Sequence, residues 1–226
     1  TFTWTSKDAG TNTVNVTGIA LDSQFEDRYE LTTSELSNVS CSGAKIENAQ
    51  IKNVSVRQMM ELTYNGREQL PEVTATGSTI GGTAITFRYG LTAVQAADEN
   101  EWLNYVPAFT DAGTYTVYYT ASAVNHDSVY GSFEIKIKNA SITGVDAAGY
   151  TGIYDGQSHG IKITLTGNAG DGEILYGESE DNCTLTESPV YKNTGSYTVY
   201  YMVTKKNFDT INGSATVAIT PAQLTV

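Results

Sequence analysis

The chain of 226 residues is 40% hydrophobic, which is enough apolar side chain to build cores and argues against a disordered segment. Its 13 basic and 25 acidic residues give a net charge of −12, which disfavours nucleic acid and anionic membrane surfaces as partners, because both require clustered Lys and Arg. No apolar run approaches the roughly 20 residues of a membrane-spanning helix, so membrane insertion is not expected. No signal-peptide pattern opens the chain, and we expect targeting and anchoring segments to lie outside this sequence.

A stretch of nine residues occurs three times along the chain. It reads DAGTNTVNV at 8–16, DAGTYTVYY at 111–119 and NTGSYTVYY at 193–201. An active site is usually built once, whereas a structural part is built as often as it is needed. The recurrence therefore favours a repeated structural module over a catalytic motif.

The match between copies extends far beyond these nine residues. YNGREQLPEVTATG (64–77) aligns with YDGQSHGIKITLTG (154–167), and GSFEIKIKNASITGV (131–145) aligns with GSATVAITPAQLTV (213–226). Insertions fall between the matched blocks, as expected for loops between strands. The blocks predict one truncated repeat, which supplies only the C-terminal part of a module, and two full repeats: 1–53, 54–139 and 140–226.

Within a repeat, hydrophobic residues alternate with polar ones, as at 161–165, which indicates strands with one buried face. Asn-Gly at 65–66 and Asp-Gly at 155–156 are hairpin signals. Six or seven short strands in about 86 residues predict an all-β fold of Ig-like β-sandwiches, arranged end to end. Helical patterns occur only at 57–62 and 91–103, and modules resembling a β-grasp are the alternative.

The recurring stretch fits a tyrosine corner. In Ig-type sandwiches a Tyr near the start of strand F donates a hydrogen bond to the backbone of the preceding corner. Tyr115 and Tyr197 occupy that position, and Gly113 and Gly195 give the tight corner the conformational freedom it needs. The first copy has Asn12 in place of the tyrosine.

Some aromatic residues are candidates for ligand contact rather than for the core. Strand alternation places Tyr118 and Tyr200 on the outward face, where aromatic rings can stack on a sugar or on a protein partner. Trp102 is expected to point outward as well, because its counterpart in the last copy is Thr184. Tyr105 lies close enough in sequence to join it. The alternative is that these rings only favour strand formation or cover a loop.

The sequence contains no recognisable catalytic or metal-binding motif. His126 and His159 lack the spacing of paired metal ligands. The acidic clusters at 97–101 and 171–182 do not match the ligand spacing of a Ca²⁺ loop. No phosphate-binding loop or nucleophile elbow is present. We therefore predict a protein that is not an enzyme and that has no cofactor.

Taken together, the blocks resemble a known group of repeats. The order YDG (154–156), YG (176–177), NTGSYTVYY (193–201) and ITPAQLTV (219–226) resembles the MBG-type (YGX-like) repeats of bacterial cell-surface proteins. The first copy, with AGTNTVNVTGIAL followed by RYELTT, is similar to the end of a YDG-type repeat. The resemblance implies an exported, adhesin-like bacterial surface protein built from tandem all-β modules, without catalytic residues.

Three functions remain open at this point. The first is an extended spacer or stalk in an adhesin-like array at the bacterial cell surface, with neighbouring repeats of the parent protein as its partners. The second is a module that binds a glycan or a host protein through exposed aromatic residues. The third is an accessory domain of a surface glycoside hydrolase.

Overall fold

The computed structural model describes residues 2–4, 7–16, 39–93 and 102–224. The described residues form strands and turns, and their helical content is limited to the short 3-10 turns Ile80–Gly82 and Gly167–Ala169. The helical pattern at 57–62 does not form a helix, because strand pairing continues to Gln58 and the next two residues form a bend. Most of the other helical pattern, 91–103, lies outside the described residues.

The first copy contributes an antiparallel sheet of three strands in sequence order. The ladder runs from Phe2 opposite Val16 to Gly10 opposite Ile46, with a register shift after Asn12. These strands are β1 (Phe2–Trp4), β2 (Gly10–Val16) and β3 (Val39–Ile46). The two-residue strand β4 (Ala49–Gln50) follows directly.

The middle copy places its strands in a pair and a four-stranded sheet. Its strands are β5 (Lys52–Gln58), β6 (Leu62–Thr63), β7 (Val73–Ser78), β8 (Thr86–Gly90), β9 (Gly113–Ser122), β10 (His126–Asp127) and β11 (Val129–Lys138). β5 pairs with β7, while the larger sheet has the order β6-β11-β9-β8. β6 runs parallel to β11, and β8 runs antiparallel to β9.

The last copy repeats this arrangement strand for strand. Its strands are β12 (Ala140–Ser141), β13 (Val145–Ala148), β14 (Tyr150–Ile153), β15 (Lys162–Leu165), β16 (Glu173–Gly177), β17 (Gly195–Thr204), β18 (Phe208–Asp209) and β19 (Ile211–Thr220). β13 pairs with β15, and the sheet has the order β14-β19-β17-β16. The parallel pair β14 and β19 begins with Tyr150 opposite Val217.

This strand order is that of an Ig-like β-sandwich. The first strand is broken into two parts, at Gly149 in the last copy, and the two parts join different sheets. The part before the break pairs antiparallel with the next long strand, and the part after it pairs parallel with the final strand. The predicted all-β, Ig-like fold is confirmed, and a β-grasp, which packs a helix on its sheet, does not describe these residues.

The core of the last copy lies between its two sheets. Ile161, just before β15, and Ile163, within it, pack against the larger sheet. The inward residues Val199 and Val217 of that sheet are fully buried, and Ile219 is nearly so. Each such aliphatic side chain stabilises the fold by about 1.5–3 kcal/mol relative to an exposed one. The alternation read from the sequence therefore identifies the side chains that hold the sandwich together.

The expected hairpins at Asn65–Gly66 and Asp155–Gly156 are wrong. Both glycines have positive φ, and both preceding side chains accept a hydrogen bond from the backbone N–H two residues on. These are the features of a tight turn. In each case, however, the strand before the turn joins one sheet and the strand after it joins the other. The turn residues fix the local backbone but do not decide which strands pair.

The described residues divide into two compact units. One contains described residues within Thr1–Met59, Glu72–Pro107 and Thr116–Glu134. The other contains Met60–Pro71, Ala108–Tyr115 and the described part of Ile135–Val226. The division passes through the middle copy, and the repeat boundaries remain predictions.

Candidate functional site

The corner tyrosines of the two full copies differ in hydrogen bonding. The Tyr115 hydroxyl donates to the carbonyl oxygen of Asp111 at 2.8 Å, and its ring stacks on Phe109 with centroids 4.1 Å apart. The Tyr197 hydroxyl lies farther from its acceptors, 3.4 Å from the carbonyl oxygen of Asn193 and 3.5 Å from that of Thr194. Its ring stacks on Tyr191, also at 4.1 Å.

Both corners turn on a glycine with an unusual backbone. Gly113 has a φ of 155° and Gly195 a φ of 159°. A Cβ on Gly195 would lie 2.9 Å from Cζ of Tyr197, so the ring rests directly on the glycine. The ring position therefore depends on the glycine as well as on the hydrogen bond.

We expect the two corner hydroxyls to differ in their contribution to stability. Tyr115→Phe should lower the free energy of unfolding by about 1 kcal/mol, the net value of one well-formed hydrogen bond. Tyr197→Phe should lower it by less, because its hydroxyl bonds are long. Urea denaturation of the two variants beside the wild type measures both values, and an equal loss would contradict the difference.

A turn asparagine connects the last copy to the middle one. Asn207 lies in the turn between β17 and β19 and has a φ of 69°. Its Oδ1 accepts the Ala112 N–H at 3.0 Å, and its Nδ2 donates to Oδ1 of Asp111 at 2.8 Å. Its own carbonyl oxygen accepts the N–H of Ala140 at 3.0 Å. We call these contacts the second joint.

The first joint, between the first and middle copies, repeats the same contacts. Asn125, with a φ of 60°, accepts the Ala9 N–H at 3.1 Å and donates from Nδ2 to Oδ1 of Asp8 at 2.8 Å. Its carbonyl oxygen accepts the Ala49 N–H at 2.9 Å. The Asp-Ala that opens the recurring stretch in the first two copies is therefore half of a joint to the following copy.

Each joint also orders the residues that connect the copies. Ala49 and Gln50 pair in parallel with His126 and Asp127, and β12 pairs in the same way with β18. In the first joint the carboxylate of Asp127 accepts hydrogen bonds from Asn48 and Gln50. The connecting residues are thus held by hydrogen bonds in strand geometry.

The sequence contained a signal for the joints that our prediction did not use. Asn-His-Asp at 125–127 and Asn-Phe-Asp at 207–209 share the spacing Asn-x-Asp at the same place in the two copies. Asn is the residue other than Gly that most readily adopts positive φ. A recurring Asn in a turn thus indicated a position that requires a positive φ. Its partners, about 95 residues earlier in the second joint, could not be read from the spacing.

An ion pair borders the second joint. Nζ of Lys206 lies 2.8 Å from Oδ2 of Asp111. Hydrogen bonds from Lys206 and then from Asn207 hold the pKa of Asp111 below its ordinary value, and the bond to Asp111 raises the pKa of Lys206. Both groups are largely exposed, so the pair by itself adds little stability.

We expect the second joint to loosen at both ends of the pH scale. The depressed pKa of Asp111 means that its contribution is complete above its ordinary pKa of about 4 and is lost as pH falls through the lower folded value. The raised pKa of Lys206 means that its contribution is complete below about 10.4 and is lost as pH rises through the folded value. Amide exchange at Ala140, measured between pH 2 and 6, should show the acid limb after correction for the intrinsic rate. Asp111→Asn should abolish that limb, and its persistence in the variant would contradict the assignment.

The predicted ligand-contact residues do not form one site. Trp102 and Tyr118 line a common cleft in the middle copy. Tyr105 is 62% exposed and does not line this cleft, and Tyr200 lies in β17 of the last copy. The expectation that Tyr118 and Tyr200 are exposed is corrected, because both are half-buried.

The cleft contains an aromatic residue that the sequence analysis did not select. The rings of Trp102 and Tyr130 have centroids 6.3 Å apart and planes inclined by 44°. The cleft has a volume of about 210 Å³, and its lining residues are Ala93, Trp102, Tyr118, Tyr119, Tyr130, Gly131 and Ser132. None of these side chains is charged at neutral pH.

The histidine of the last copy, His159, is held by contacts within the fold. Nε2 of His159 lies 3.0 Å from Oδ1 of Asp155, and its ring stacks on Tyr150 with centroids 3.7 Å apart. Within the described part of the chain, no three His, Cys, Asp or Glu side chains are placed to hold a metal ion. No helix among the described residues is long and apolar enough to cross a membrane.

Of the comparisons with known proteins, only the comparison with solved structures finds matches. No protein-family model matches the chain, and no curated protein matches it. Solved structures that match include the insect immune protein hemolin (13% identity, TM-score 0.27, 94% of this chain and 60% of that chain) and the human desmocollin-1 ectodomain (10%, 0.26, 95% and 44%). A third is surface layer protein SbsC, domains 1–6 (13%, 0.27, 95% and 32%). This chain thus spans less than two thirds of each of these three structures. Their TM-scores are too low to support a conclusion about its function.

Proposed function

We propose that this chain is a non-catalytic segment of a bacterial cell-surface protein, in which tandem Ig-like modules act as an extended spacer in an adhesin-like array. In this proposal 54–139 and 140–226 are MBG-type repeats, and 1–53 is the end of a YDG-type repeat. The segment is extracellular, and its first partners are the neighbouring repeats. The observation that carries the proposal is the joint, which occurs twice with the same donors and acceptors.

A spacer needs connections that resist bending, and the joints supply that property. A connection without contacts behaves as a flexible coil. Here Ala49 and Ala140, in the two connecting stretches, are instead hydrogen-bonded to the turn of the following copy. Each copy therefore restrains its neighbour, and reach grows with the number of copies. The absence of charged clusters suited to nucleic acid or to anionic lipid agrees with this mechanical role.

Small-angle scattering tests the extended shape. A single compact globule of this length has a radius of gyration of roughly 17 Å. The proposal predicts a clearly larger radius for the wild type and a distance distribution with an elongated tail. A monomer with the radius of a compact globule would refute the spacer function.

A second function, ligand binding, is favoured by one observation, the uncharged aromatic cleft of the middle copy. A spacer does not require such a cleft. The two functions are compatible, because the cleft shares no residue with either joint.

A further inference from the structure

Part of the cleft lining is a framework that the middle and last copies share. It is formed by Tyr118, Tyr119 and Gly131 from the neighbouring strands β9 and β11. A Cβ on Gly131 would lie 2.5 Å from the hydroxyl oxygen of Tyr119, so the glycine lets that ring lie flat across the strand. In the last copy Gly213 has the same relation to the ring of Tyr201. This framework is thus part of the fold.

The two rings of Trp102 and Tyr130, in contrast, have no counterpart in the last copy. The offset that aligns 111–119 with 193–201 also aligns Trp102 with Thr184 and Tyr130 with Asn212. The last copy forms the same sandwich with a threonine and an asparagine at these positions. The fold therefore does not require the two rings. Tyr130 is 44% exposed, so much of its ring remains available for contact.

We infer that this cleft binds a neutral saccharide. Its volume of about 210 Å³ is below that of sites that enclose a drug-sized ligand, roughly 300–1,000 Å³, so the cleft would hold only part of an oligosaccharide. The rings of Trp102 and Tyr130 present flat apolar surfaces on which the C–H face of a pyranose can stack. The hydroxyl groups of Tyr118, Tyr130 and Ser132 supply hydrogen-bonding groups of the kind that sugar hydroxyls need.

The charge of the site distinguishes a neutral sugar from other ligands. The described lining residues include no Lys or Arg to hold a sialylated or sulfated glycan, and the net charge of −12 repels one. The described lining residues also include no carboxylate to assist the binding of a quaternary ammonium ion by aromatic rings. A neutral oligosaccharide fits both the rings and the lack of charge. This inference does not depend on the spacer function, since no joint residue lines the cleft.

The test is an array of immobilised glycans that includes neutral oligomers of β-linked glucose and of N-acetylglucosamine, with calorimetry on any neutral oligosaccharide that is bound. The decisive variants are Trp102→Thr and Tyr130→Asn, which introduce the residues that the last copy accommodates. Each should weaken binding by roughly tenfold, which corresponds to the loss of one stacked ring. Tyr105→Ala, which removes an exposed ring outside the cleft, should leave affinity within about twofold.

Each possible result of the array either supports or overturns the inference. Binding of a neutral glycan that both cleft variants weaken, and that Tyr105→Ala does not, supports the inference. No binding to any neutral glycan, binding confined to acidic glycans, or neutral-glycan binding unchanged in both cleft variants would overturn it. Circular dichroism and melting curves of the variants identify any loss caused by unfolding. An elongated scattering profile together with a blank array would retain the spacer function and reject the cleft.

Discussion

Asn207→Ala is expected to open the second joint. The substitution removes the acceptor of the Ala112 N–H, worth about 1 kcal/mol, and leaves alanine in a left-handed backbone conformation that costs about 1–2 kcal/mol more. The hydrogen bond to Asp111 is lost as well. A loss of about 2 kcal/mol corresponds to roughly 30-fold faster exchange of the Ala112 and Ala140 amides, where the joint controls their opening.

Asn207→Gly is the matched control for this prediction. Glycine adopts positive φ without strain but lacks the side-chain hydrogen bonds, so exchange should accelerate by less than in the alanine variant. Asn125→Ala should affect the Ala9 and Ala49 amides in the first joint in the same manner. If exchange of these amides is unchanged in the alanine variants, the asparagines do not hold the copies together.

Gly144→Ala is expected to destabilise the last copy strongly, because it combines backbone strain with a steric clash. Gly144 has a φ of 86°, and its carbonyl oxygen accepts the N–H of Thr166 at 2.7 Å. A Cβ would overlap the carbonyl oxygen of Thr166 and lie 2.8 Å from its carbonyl carbon. Left-handed strain of about 1–2 kcal/mol and overpacking of about 1–3 kcal/mol together predict a loss of about 3 kcal/mol.

Gly156→Ala separates the two contributions. Gly156 lies in the same copy with a φ of 80°, but no atom would come within 4 Å of an added Cβ. This variant should therefore lose only the strain contribution, about 1 kcal/mol. Urea denaturation of both variants measures the difference. Equal losses would show that the backbone near Thr166 moves aside and that the close approach of the two segments is not required.

The strands were predictable because burial in a sandwich follows strand alternation. Ile135 and Ile137 are buried, and the Lys136 and Lys138 that alternate with them are exposed. Strand pairing was less predictable, because it joins residues far apart in sequence. Tyr150 pairs with Val217, whereas the Asp-Gly turn that follows β14 suggested a local hairpin. The residue types in a turn indicate its backbone angles, but they do not indicate which strands pair with each other.

The candidate site was predictable only in part for a similar reason. The substitution of Thr184 for Trp102 in the last copy drew attention to the tryptophan. Tyr130 was not selected, although its counterpart Asn212 is an equally large change. Tyr130 lies in β11, in another part of the copy, and only the fold places its ring beside Trp102. Strand alternation also overestimated the exposure of Tyr118, because alternation does not account for neighbouring side chains that cover a ring.

If the chain is the spacer that we propose, the joints restrain each copy relative to the next. Residual dipolar couplings of backbone amides in the two full copies, measured in one alignment medium, test it most directly. We predict that one alignment tensor fits the strands of both copies in the wild type, and that Asn207→Ala requires two tensors of different magnitude. Two different tensors in the wild type would show that the copies reorient independently, and would contradict the account of a restrained array.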